Sequence, residues 1–317
     1  MYSFFSCKIS LKKSLTLTSI IILIGLIYLQ SISLMSRSVM IQDVPIFAEN
    51  FPEAYSTITT AKFEGEETRN IHYVTTGNPD GQLLIFIHGA PGDWTAFEQY
   101  LQDPDLLEQF RMISVDRPGY GLSDLGKVER SLKQQAKLIS LVITENQSVH
   151  DPILVGHSFG GAVAIRMLMD YPEVFGHAVI LAGSLSPFAD EKPWWEHAAH
   201  FPPIRWILPK DIYVTSEEIY AVKGELEQML PLWKEIITPV TIVHGTEDRL
   251  VPVENAYFME NNLTSTKKTL DVVEGQNHFL PWSEYERVKS HIFNEAEIMQ
   301  DSLDLPELSD LHHDHAH

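Results

Sequence analysis

The sequence predicts an α/β fold, a doubly wound and mostly parallel sheet. Three observations carry this expectation. Short, continuous apolar runs recur at 83–88, 112–115, 153–155, 178–181 and 240–243, as expected for strands covered on both faces. Helical stretches fall between them. A glycine-punctuated turn, Gly156-His-Ser-Phe-Gly160, separates the run at 153–155 from a helical stretch.

In chain order, Lys8, Lys12 and Lys13 precede an apolar segment, 15–35, that holds no charge. A run of about 20 apolar residues can cross the hydrocarbon core as a helix. The positive-inside rule then places the short N-terminus in the cytoplasm and the long remainder of the chain on the non-cytoplasmic side of the membrane. Residues 1–36 are read as a cytoplasmic stub and transmembrane anchor. The competing reading is a cleaved signal with Ser31 and Ser33 at its end, which gives a secreted protein. Residues 37–56 form a linker and 57–300 the folded domain. The segments 57–63 and 71–75 alternate, which predicts an antiparallel hairpin with one wet face. Ser131-x-x-Gln134 opens a helix to about Glu145, and Ser283-x-x-Glu286 opens another to about Met299. The last strand is expected at 269–273. A helical lid insertion is expected at about 185–238. It holds four of the six tryptophans, and Thr215-x-x-Glu218 starts a helix inside it. Residues 301–317 form an acidic, His-rich tail, read as disordered.

The 317 residues are 44% hydrophobic and 21% charged, with a formal net charge of −20. That balance argues against nucleic-acid binding, which needs clustered Lys and Arg. Cys7 is the single cysteine, so an intrachain disulfide is excluded and a Cys-based zinc site is not expected. A histidine cluster at 312, 313, 315 and 317 could bind a transition metal, but the pattern does not imply a fixed geometry, and no metal or cofactor is expected.

Gly156-His-Ser158-Phe-Gly160 fits a Gly-x-Ser-x-Gly elbow in its strand–turn–helix context. Ser158 is the expected nucleophile. A serine hydroxyl needs a base to take its proton, and His278 stands beyond the last strand and before the last helix. The base needs a carboxylate behind it. Asp248 follows the strand at 240–243, and the adjacent Glu247 is the substitute. Two N–H donors complete an oxyanion hole. Phe159 supplies one, and Ala90 in His88-Gly-Ala-Pro-Gly92 the other, because Pro91 has no N–H. His88, His157 and His244 are read as shaping loops around the site. Trp94, Trp194 and Trp195 are the expected substrate-binding residues.

Together, 88–92, Asp116-Arg-Pro-Gly-Tyr-Gly-Leu-Ser-Asp124, 156–161, Gly245-Thr-Glu-Asp248 and Asn277-His278 resemble the α/β-hydrolase fold superfamily over about residues 57–295. The resemblance implies the same fold, triad and oxyanion roles, with 116–121 as a structural loop. Epoxide hydrolases and haloalkane dehalogenases of that superfamily use an aspartate nucleophile, so Ser158 disfavours both. The loop at 88–92 resembles proline iminopeptidases, whereas the elbow is closer to esterases and C–C bond hydrolases.

The expected function is hydrolysis of an ester or related acyl bond of a small apolar substrate, through an acyl-enzyme on Ser158. Iminopeptidase-like and C–C bond hydrolase activities stay open as alternatives. A non-catalytic binding protein on the same fold is the reading from a different class.

Overall fold

The computed structural model describes residues 55–63, 67–188, 208–264 and 266–303. The expected anchor, most of the expected linker and tail, and Trp194 and Trp195 lie outside the described residues. Two bounds are corrected: Tyr55 and Ser56, expected in the linker, already belong to the first strand, and residues 301–303, expected in a disordered tail, still belong to the last helix. Among the described residues, no helix is long and apolar enough to cross a membrane.

Eight strands form one sheet: β1 (Tyr55–Ala61), β2 (Arg69–Gly77), β3 (Gln82–Ile87), β4 (Phe110–Val115), β5 (Ile153–His157), β6 (His177–Leu181), β7 (Val240–Gly245) and β8 (Lys268–Val273). Their spatial order is β1-β2-β4-β3-β5-β6-β7-β8. β2 runs antiparallel to both neighbours, and β3 through β8 are parallel. The predicted runs all became strands, because each could bury both faces. Leu83, Ile85 and Ile87 enter one apolar cluster, while Leu84 and Phe86 enter the other. The expected wet face is confined to β1 at the sheet edge. β2 is paired with both β1 and β4, and it is buried almost throughout because the helices Pro104–Gln109 and Leu132–Glu145 pack against it.

Besides short helical turns at Trp94–Phe97, Glu98–Leu101 and Leu230–Glu235, the helices of the described residues are α1 (Pro104–Gln109), α2 (Leu132–Glu145), α3 (Phe159–Asp170), α4 (Lys210–Met229), α5 (Glu254–Asn262), α6 (Leu280–Ser283) and α7 (Tyr285–Leu303). α2 and α3 pack on the face lined by Ile85 and Ile87. α7 and the turns around Phe97 and Tyr100 pack on the other. Each fully buried Leu, Ile or Phe contributes about 1.5–3 kcal/mol relative to exposure. Ser131 caps α2, its hydroxyl accepting the Gln134 N–H at 3.4 Å, as the sequence pattern predicts.

Two other cap expectations are corrected. α4 begins at Lys210, directly after Pro209, and Thr215 lies inside it with its hydroxyl 2.9 Å from Tyr120 Oη. Ser283 does not open α7. Its hydroxyl donates to Gln276 Oε1 at 3.0 Å, and the residue closes α6 instead. In both cases a tertiary partner claims the hydroxyl that a local cap would have used.

Candidate active site

The strand order reverses around β3, because the chain places β4 on one side of it and β5 on the other. Such a switch point opens a crevice at the carboxyl ends of parallel strands. Loop 88–92 leaves β3 on one flank of this crevice, and Ser158 leaves β5 on the other.

Ser158 has φ 55° and ψ −122°, a left-handed-side conformation that few non-glycine residues adopt. The surrounding glycines explain how the turn is held. A Cβ at Gly160 would lie 2.3 Å from the Ile87 carbonyl oxygen, and one at Gly156 would lie 2.7 Å from the Gly160 carbonyl oxygen. Side chains at either position would push β5 away from α3 and β3. Ser158 is itself the N-cap of α3, so the N–H groups of Phe159 and Gly160 precede the first intrahelical bond, while that of Gly161 is bound to the Ser158 carbonyl at 2.9 Å. A Cβ at Gly89 would lie 3.0 Å from Ser158 Cβ, so loop 88–92 passes directly beside the serine.

His278 and Asp248 are brought together, with Nδ1 to Oδ2 at 2.7 Å. Asp248 follows β7 and is buried. Burial alone would raise its carboxyl. The bonds from His244 and His278 and the Val251 N–H outweigh burial and hold it well below the usual carboxylate range. Oδ1 accepts the N–H groups of Leu250 and Val251 at 2.9 and 2.8 Å. An ionised carboxylate only accepts, so His278 donates from Nδ1, and Nε2 is left with its lone pair. Glu247 is exposed, whereas Asp248 is buried.

His157 Nε2 lies 3.1 Å from the His278 carbonyl oxygen and therefore donates to it, tying the histidine loop to the residue before Ser158. Burial, then the proximity of His278, pushes His157 down to about 3. His88 donates from Nδ1 to the Gly89 carbonyl at 2.7 Å and accepts the Arg117 N–H at Nε2 at 2.9 Å. Burial, then Arg117, lowers it well below the ordinary histidine value. These rings are neutral supports of the surrounding loops. His244, at the end of β7, ties the loop after it, donating from Nε2 to the Val251 carbonyl at 2.8 Å.

Far from the crevice, burial pushes His177 down to about 3 as well, where it meets Thr241 Oγ1 at 3.0 Å. The unfolded chain protonates such histidines near pH 6.5, and the native state does not until about 3. Stability is therefore highest above pH 6.5 and falls as the pH drops through that window, by about 1.4 kcal/mol per pH unit for each such group. Urea unfolding between pH 7.5 and 4 should show this decline, and His177→Gln should flatten it. A stability that is level between pH 7 and 5 would refute the assignment.

One expectation on aromatic residues needs revision. Trp94 was expected to contact substrate, but its side chain is 1% exposed and packs in the apolar cluster with Phe86, Phe97 and Tyr100. Its backbone N–H is held by Asp116 Oδ1 at 2.8 Å, which turns the indole inward. Phe279 and Trp282, unnoticed in the sequence, stand exposed beside His278, with Phe279 ring centroids 6.0 Å from both His278 and Trp282. Their position directly after the candidate base was the available signal.

A second Ser–His–Asp arrangement occurs at the sheet edge. Ser56 Oγ lies 2.7 Å from His72 Nε2, and His72 Nδ1 lies 2.7 Å from Asp116 Oδ2. Ser56 sits in the regular ladder of β1, opposite Val74, with neither a strained turn nor a helix N-terminus beside it. Asp116 also accepts the Trp94 and Leu122 N–H groups. This set fastens β1 and loop 116–124 to the sheet.

A parallel sheet presenting a strained serine elbow at its switch point is the architecture of the α/β hydrolases. The chain belongs to the alpha/beta hydrolase family, whose model matches residues 84–290. It is 36% identical over 275 residues to Epoxide hydrolase 1 of Caenorhabditis elegans, covering 70% of this chain and 66% of that protein. It is 23% identical over 269 residues to a 2-hydroxy-6-oxononadienedioate/2-hydroxy-6-oxononatrienedioate hydrolase of a Pseudomonas species, covering 73% and 93%. Among solved structures, an esterase from Exiguobacterium antarcticum shares the fold with a TM-score of 0.58 at 22% identity, covering 72% of this chain and 96% of that one.

Proposed function

We propose that this protein is a serine hydrolase that cleaves a carboxylic ester or related acyl bond of a small apolar substrate. The observation that carries this reading is the His278–Asp248 bond, which leaves a basic Nε2 on the loop tied to the Ser158 elbow. In this mechanism Ser158 Oγ attacks the acyl carbon while His278 takes its proton. The oxyanion is held by the N–H groups of Phe159 and Ala90. His278 then protonates the departing alkoxide, and water releases the acyl group by the same steps in reverse order.

Serine at the elbow separates this chain from the aspartate-dependent chemistry of the superfamily's epoxide hydrolases, despite the 36% identity to one of them. Exposed Phe279, Trp282 and Leu250 around the base and its carboxylate support an apolar substrate. An iminopeptidase needs a free carboxylate to hold the substrate's amino terminus. Glu218 is instead bound by Arg117, and Glu217 accepts from Arg130 Nε at 2.9 Å, while Glu196 lies outside the described residues.

An apolar site gains about 0.8 kcal/mol per buried methylene. kcat/KM for p-nitrophenyl esters should therefore rise with acyl length until the pocket is filled. Prolyl amides should be cleaved far more slowly. Faster cleavage of a prolyl amide than of any ester in the series would replace this reading with the iminopeptidase one. The similarity to a C–C bond hydrolase supports a second reading, favoured if a ring-fission dienoate is turned over faster than every ester.

A further inference from the structure

Arg117, in the loop after β4, is completely buried, and all five of its N–H groups have acceptors. Nε donates to the His88 carbonyl at 2.9 Å, Nη1 to Gln135 Oε1 at 2.9 Å and Glu218 Oε1 at 2.7 Å, and Nη2 to the Gly89 carbonyl at 3.0 Å and Glu218 Oε2 at 3.1 Å. The guanidinium carbon lies 4.7 Å from the Phe159 ring centroid and 4.6 Å from that of Tyr120. Glu218, on α4, is also bound by Tyr120 Oη at 2.6 Å and Gln135 Nε2 at 2.7 Å. Burial would lower the guanidinium, but Glu218 more than compensates and keeps it charged.

The acceptors matter more than the charge. The Gly89 carbonyl belongs to the same peptide plane as the Ala90 N–H. In a trans peptide the two point in opposite directions. The Gly89 oxygen is held by Arg117 Nη2 and, at 2.7 Å, by Nδ1 of His88, whose own Nε2 is held by the Arg117 backbone N–H. Holding that oxygen from one side aims the Ala90 N–H to the other, and withdrawing electrons from it strengthens the N–H as a donor. Arg117 thus grips one oxyanion donor through its peptide and packs its planar face against the side chain of the second, Phe159. A fully buried ion pair adds little net stability compared with apolar residues of the same volume. Its five-way geometry, which lysine cannot reproduce, is suited to setting direction.

We propose that Arg117, braced by Glu218 from α4, is the positioning residue for the oxyanion hole, and that α4 thereby sets the hole's geometry. This rests on the hydrolase reading above. It is tested on the full chain with Arg117→Lys, using p-nitrophenyl butyrate, an alkyl trifluoromethyl ketone and a matched methyl ketone. The trifluoromethyl ketone adds Ser158 Oγ to its carbonyl carbon, passes the serine proton to His278 and leaves an oxyanion in the hole. The methyl ketone binds without that step. kcat should fall about 10²-fold, at the lower end of the loss from deleting an oxyanion donor, with KM within about threefold. Trifluoromethyl ketone affinity should fall by the same factor and methyl ketone affinity should hold. A crystal structure of the variant should show the Gly89–Ala90 peptide rotated.

A folded variant with kcat within about threefold of wild type, or with that peptide unmoved, overturns the proposal. So does a loss carried by KM and by both ketones alike. If Arg117→Lys does not fold, Arg117→Met/Glu218→Leu removes both charges together and is read the same way. A wild-type protein that neither cleaves esters nor labels with a fluorophosphonate sinks the hydrolase reading instead. The peptide's orientation in the variant then decides the positioning claim by itself.

Discussion

Ser158→Ala should lower kcat by about 10⁴–10⁶-fold while the protein stays folded, because triad members act as a unit and one deletion removes the whole nucleophilic route. The size of the loss follows from the proposed chemistry. Without Oγ there is no acyl-enzyme, and only the oxyanion donors and substrate binding act on attack by water. The backbone sharpens the test. At φ 55° and ψ −122°, residue 158 is strained in either form, so alanine gains no relief. Glycine adopts such angles freely, and strain of this kind costs about 1–3 kcal/mol. Ser158→Gly should therefore be as inactive as Ser158→Ala and more stable than it in urea. An inactive but stabilised glycine variant would mean that the strain is maintained for the hydroxyl it displays. Turnover within about tenfold of wild type in either variant would remove Ser158 from the mechanism.

What the sequence disclosed and what it hid divide along a physical line. Strand positions were legible because a strand covered on both faces must be apolar at every residue, and five such runs stand out. The elbow was legible because its requirement is local: Gly156 and Gly160 face backbone oxygens closer than 3 Å to where a Cβ would be. The caps at Thr215 and Ser283 were misread because a capping pattern is also local, and partners outside the pattern, Tyr120 at 95 residues away and Gln276 at seven residues away, took both hydroxyls. The Arg117–Glu218 pair joins positions 101 residues apart, and neither residue carries any mark of the other. Trp94 shows the remaining kind of error. An aromatic residue beside a catalytic loop can face the crevice or the core, and the Asp116 carboxylate that turns it inward is 22 residues away.

The second large effect concerns Asp248. Asp248→Asn should lower kcat by about 10³–10⁴-fold at neutral pH, as expected for an orienting carboxylate in a triad. Asp248 Oδ1 is held by the N–H groups of Leu250 and Val251, so an asparagine would keep its carbonyl oxygen there and present its NH₂ to His278. His278 would then have to accept at Nδ1 and carry its proton on Nε2, the tautomer that cannot take a proton from serine. Glu247 cannot compensate. It is exposed, and its backbone N–H is bound to the Gln276 carbonyl at 2.8 Å. Glu247→Gln should therefore change kcat by less than about threefold, in keeping with an exposed substitution away from any buried network. Steady-state kinetics of the two variants on one ester decide the matter. If Glu247→Gln loses more than Asp248→Asn, the carboxylate behind His278 is Glu247, and the 2.7 Å bond described above is not the one that orients the base.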